Sequence, residues 1–122
     1  YLRTKGAPIM STMILIKSFR AIDVISPYCI VAARGDGMVA TASGKGDKLL
    51  GTAGSLSAKA GEMIDVGQCG WGEVVCGGNV SFGDFLTSDP KGHAIRAEAA
   101  DRTIGIAMSD GSAGDVISFK IN

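Results

Sequence analysis

One histidine, three cysteines and a scatter of serines, lysines and carboxylates are all the chain offers for chemistry, so their spacing decides what they can do. His93 follows the turn Asp89-Pro90-Lys91-Gly92; as a general base or ligand it needs partners, and a solvent-facing residue at a turn's end is the simpler reading. Cys69 and Cys76 are spaced too widely for a zinc knuckle, and one histidine cannot complete a tetrahedral set. In Ser55-Leu56-Ser57-Ala58-Lys59 neither serine stands three residues before the lysine, and no Gly-x-Ser-x-Gly elbow occurs. Gly44-Lys45-Gly46-Asp47-Lys48 lacks both the upstream glycine and the Ser or Thr of a P-loop. Arg34-Gly35-Asp36 spells an adhesion tripeptide, but Gly37 after it makes an ordinary turn sequence. Glu62, Asp101, Asp110 and Asp115 are too dispersed for a calcium loop and read as turn carboxylates. The expectation is a protein that is not an enzyme, with no catalytic, cofactor-binding or metal-binding residues.

Twelve basic and twelve acidic side chains cancel and are scattered, so no basic stripe is available for a phosphate backbone and no nucleic-acid partner is expected. The apolar run from Met10 to Ile16 ends at Lys17, too short for a bilayer span and without the cleavage motif of a signal peptide. Three cysteines leave one unpaired, which favours reduced thiols; a Cys69–Cys76 bridge is the lesser alternative. A chain of 122 residues suffices for one domain with a single core.

The elements that must carry these residues read as short strands. Ile117, Phe119 and Ile121 alternate with Ser118 and Lys120, the period of a half-buried strand. Apolar runs at Met13–Ile16, Ile30–Ala33, Leu49–Ala53, Trp71–Cys76 and Ile104–Met108 are bounded by turn residues. Long helices are disfavoured by eighteen glycines, leaving at most single turns at Ser57–Ala60 and Ala97–Arg102. The chain also repeats itself. Asp47-Lys48-Leu49-Leu50-Gly51-Thr52-Ala53 is echoed by Asp101-Arg102-Thr103-Ile104-Gly105-Ile106-Ala107, Ala60-Gly61-Glu62-Met63-Ile64 by Ala113-Gly114-Asp115-Val116-Ile117, Ile30-Val31 by Phe85-Leu86, and Gly37 by Gly92. The expected fold is therefore all-β: a small β-sandwich or β-barrel built from two related units, about 26–66 and 80–121, packed face to face around one core. Residues 1–21 stand outside the repeat, as an extended N-terminal arm or an extra strand ahead of a single β domain, 22–122.

Strand addition is how such an arm would grip another chain. Large aromatics near the unit boundaries belong to the core or, if exposed, to a contact surface. The candidate interface residues are Leu2, Ile9, Met10 and Met13 on the arm, with Trp71 and Phe82 beyond it.

Gly61-Glu62-Met63-Ile64-Asp65-Val66, Gly72-Glu73-Val74, Gly83-Asp84-Phe85-Leu86-Thr87-Ser88-Asp89, Gly92-His93-Ala94 and Ile104-Gly105-Ile106-Ala107 together resemble the small capsid decoration, or cement, proteins of tailed bacteriophages. The resemblance runs from about Ala21 to Ile121 and carries no active site. It implies a structural protein on the exterior of an expanded phage head, stabilising contacts between major capsid protein subunits. It further implies a homo-oligomer, with a trimer favoured, located on the virion and assembled in the bacterial host cytoplasm. The alternative is a small ligand- or carbohydrate-binding β module, which needs an exposed aromatic platform from a chain with one tryptophan. A hydrolase with a hidden serine site is the remote third reading.

Overall fold

The computed structural model describes residues 12–121. Nine strands follow one another: β1 (Thr12–Ala21), β2 (Ile30–Ala33), β3 (Met38–Thr41), β4 (Leu49–Thr52), β5 (Met63–Val75), β6 (Phe85–Ser88), β7 (Ala94–Arg96), β8 (Gly105–Ala107) and β9 (Val116–Ile121). The all-β expectation holds, in its barrel form. Strands β1-β3-β2-β4-β5 form a five-stranded barrel, closed where β1 pairs antiparallel with β5. Residues 12–21 are thus a wall of that barrel; 1–11, the rest of the expected arm, lie outside the described residues.

The remaining strands repeat this plan. The order continues β5-β9-β8-β6-β7, and a parallel bridge between Cys76 and Ala94 joins the last strand back to the end of β5. That bridge matches the parallel pairing of Ala21 with Val39 in the first barrel. Hydrogen bonds match as well: the Ala21 N–H donates to the Glu62 carbonyl and the Gly61 N–H to that of Ala21, as the Cys76 N–H does to Asp115 and the Gly114 N–H to Cys76. The bridge Ile25–Ala58 has its equivalent in Val80–Gly111. One long strand, β5, serves both units, its first half closing the barrel on β1 and its second half pairing with β9.

Neither helical turn expected from sequence is present, and no helix occurs among the described residues. Ala58 is held by two backbone hydrogen bonds to Ile25, and residues 98–101 close a turn in which the Glu98 N–H donates to Asp101. Those bonds satisfy the amides a helix would otherwise have used.

The single expected core is in fact two. Ala21, Ile25, Val31, Val39, Ala53, Ile64 and Val66 fill the first barrel; Cys76, Val80, Leu86, Ala94, Ala107, Ile117 and Phe119 fill the second unit. These sets correspond position by position. A strand in a closed barrel has an inner and an outer face, and β2 uses both: Val31 points into its own barrel while Ile30 and Ala32 join the second unit's core. The outer face of β2 thus packs against the second unit along that seam.

Two glycines explain how the barrels close. A Cβ on Gly51 would strike the Gly67 carbonyl, and one on Gly105 the Lys120 carbonyl, so each strand passes closer to its neighbour than any side chain permits. They occupy equivalent places in the echoed heptapeptides.

Candidate binding surface

The segments that carry the reactive residue types are tied into local structure. His93 is half-buried; its backbone N–H donates to Asp89 Oδ1 at 2.9 Å, and its backbone carbonyl accepts the Asp89 N–H at 2.8 Å. Cys29 and Cys76 are buried, and burial raises both thiols, with Asp89 and Asp115 adding to the effect; Cys76 is pushed up to about 11, away from the thiolate a nucleophile needs. Cys69 and Cys76 are free, and seven residues of extended strand hold them roughly 20 Å apart, beyond bridging distance. The Lys59 backbone N–H donates to Glu62 Oε1. The Arg34 guanidinium of the adhesion-like tripeptide is held in a fork by Asp47, at 2.7 and 2.6 Å.

The carboxylates sit at the turns. Ser81 donates its N–H to Asp84, Phe82 to Asp110, Glu98 to Asp101 and Ser112 to Asp115, all at 2.8–2.9 Å. Asp47 accepts the Ser43 and Lys48 amides besides Arg34, and that guanidinium, followed by the amides, holds its carboxyl well below the usual carboxylate range. Among the described residues no group of three or more His, Cys, Asp or Glu is placed to hold a metal ion.

What the fold displays is apolar surface. Of the expected interface residues, Leu2, Ile9 and Met10 lie outside the described residues, and Met13 is in β1. Trp71 lies on β5 with 43% of its surface exposed, opposite Thr12 and Lys120. Phe82 is 67% exposed at the tip of the turn between β5 and β6, some way along the chain from Trp71. Phe85, another of the aromatics near the unit boundaries, is 55% exposed; Leu15, Ile16, Val24 and Met63 are also exposed, and sequence reasoning did not single them out as contact residues. Ile16 and Leu56 line a shallow groove of about 180 Å³ with Thr52, Ala53, Asp65 and Glu73. Leu15 and Ile16 are neighbours on β1 and both exposed, at a register shift in its pairing with β5, and Val24, Leu56 and Phe82 lie outside the strands, so alternation in the sequence does not mark them.

No family model matches the sequence, and no curated protein matches it. Among solved structures the chain is similar to the head fiber gp8.5 N base of bacteriophage phi29, with a TM-score of 0.69 and 18% identity, over 88% of this chain and 93% of that one. At this identity the likeness is one of fold, and it extends over nearly all of both chains.

Proposed function

We propose that this chain is a structural protein of a phage head, carried on the virion exterior, where it binds the expanded shell and stabilises contacts between major capsid protein subunits as a homo-oligomer, with a trimer favoured. The observation that carries the reading is the shared fold with a phage head-fiber base over nearly the full length of both chains. The sequence resemblance to capsid decoration proteins, which rests on different features, points to the same particle.

The surface suits the task. Exposed Trp71, Phe82, Ile16 and Leu56 offer apolar anchors that gain when covered. A chain with zero formal net charge packs densely on a lattice without repelling its neighbours. Each contact can be weak, because copies held on one shell raise each other's effective concentration.

Undecorated expanded heads mixed with the purified protein and sedimented test the reading. Saturable co-sedimentation is expected, together with a higher temperature of head rupture. Binding without any rise in rupture temperature would make the protein an attached base and not a cement; no binding at saturation would overturn the head reading. Deleting residues 1–11 is expected to weaken head binding more than it lowers the melting temperature, as a gripping arm requires.

A further inference from the structure

Within the chain, the first unit offers a socket and the second a plug. The socket is the outer face of β2 with the loop after β3: Ile30, Ala42 and Leu49 lie in or against the second unit's core, and Ile30 is fully buried. The plug is the β6–β7 turn with the segment before β8. The Ile30 N–H donates to the Gly92 carbonyl at 2.8 Å, and Arg102 donates to the Asp47 carbonyl at 3.2 Å and the Lys45 carbonyl at 3.3 Å.

Because the units repeat, each carries the other's half as well. The second unit's socket is a groove of about 410 Å³ lined by Phe85, Ala97, Glu98, Ala99, Asp101 and Thr103. Its frame is that of the first: the Ala97 N–H donates to the Phe85 carbonyl at 2.8 Å as that of Ala42 does to Ile30 at 2.9 Å. Asp101 Oδ2 accepts the Glu98 N–H at 2.8 Å as Asp47 Oδ2 accepts that of Ser43 at 2.8 Å. Yet Phe85, at the position of buried Ile30, is 55% exposed. The first unit's plug is exposed too, its Gly37 carbonyl accepting the Arg20 N–H at 2.9 Å. Gly35, Asp36 and Gly37 are exposed, Met38 is 38% exposed where His93 stands in the second unit, and Gly37 shares the positive φ of Gly92, 70° against 79°. Exposed Lys48 takes the place of Arg102, and the second unit's socket carries Glu98 and Asp101, the latter 3.9 Å from Lys45 Nζ.

We propose that the Phe85 groove of one molecule receives the Arg34–Met38 turn of another copy of this chain, so that the contact inside the chain is repeated between chains. The contact is head to tail: different patches meet, and the assembly either closes into a ring or runs on. It deepens the oligomer of the reading above but needs no head to form.

Sedimentation of the free protein and of two variants tests it. Wild type is expected to exceed the 12.5 kDa of one chain, with mass rising with concentration. Phe85→Asp removes the socket and Met38→Asp the plug, so each alone is expected to sediment as a monomer. Mixed in equal amounts they keep one good socket and one good plug, and the mixture is expected to form a dimer and nothing larger. Both side chains are exposed, so melting temperatures within a few degrees of wild type confirm that folding is intact. A monomeric wild type overturns the proposal, as do variants that assemble like wild type or a mixture that stays monomeric. Because no heads are present, failure here is separable from failure to bind them.

Discussion

Asp47 gathers more hydrogen bonds than any other carboxylate described, from Arg34, from the Ser43 amide and hydroxyl and from the Lys48 amide. Its carboxyl is held below the usual range, so the charged form favours the folded state: the contribution is complete above the unfolded value near about 4 and is lost as pH falls toward the depressed folded value. Asp47→Asn is expected to lower stability by about 1–2 kcal/mol near neutral pH. The gap between variant and wild type should narrow as denaturation is measured from pH 5 downward. Gly51 and Gly105 set a second limit at this scale. Gly105→Ala forces β8 away from the Lys120 carbonyl and is expected to cost about 1–3 kcal/mol in a urea titration, with Gly51→Ala costing a similar amount in the other barrel.

Strand β5 is the element on which both units depend. Its first half is paired by β1, and by β4 at Gly67, while its second half is paired by β9. Its amides are therefore expected to exchange with solvent more slowly than those of three-residue β7, a difference that hydrogen exchange followed by mass spectrometry reads directly. The segment Gly70-Trp71-Gly72 lies where the two copies join, and its glycines suit a bulge or close backbone approach. The structure makes it the middle of one continuous strand: Gly70 takes a φ of 99°, and a Cβ on Gly72 would meet Phe119 at 3.2 Å. Local composition marked the unusual backbone correctly. It did not reveal that the backbone stays in the ladder, because the pairing partners, Thr12 and Lys120, lie far away in sequence.

At the scale of the whole molecule one nine-stranded sheet makes a closed five-stranded barrel and a second unit on the same plan that shares β5, and the second core includes Ile30, Ala32 and Ala42 from the first. Neither unit is complete alone, so the molecule is expected to unfold in one transition. Leu86→Ala in the second unit should cost about 2–5 kcal/mol. If the units are coupled as described, calorimetric and van't Hoff enthalpies stay equal in that variant; two resolved transitions would show that the seam transmits little.

Much of this architecture is local information and could be read from the chain. Alternation at Ile117, Phe119 and Ile121 set the buried face, and turn glycines set the boundaries of strands too short to be anything else. The echo of Asp47–Ala53 in Asp101–Ala107 disclosed two related units, because equivalent backbones demand glycine and small residues at equivalent places. Exposure was another matter. Ile30 and Phe85 occupy the same position in the repeat, and nothing in their neighbourhoods tells them apart. One is buried and the other half bare, since burial of an outer barrel face depends on what docks against it, and only the tertiary packing of one unit on the other decides that.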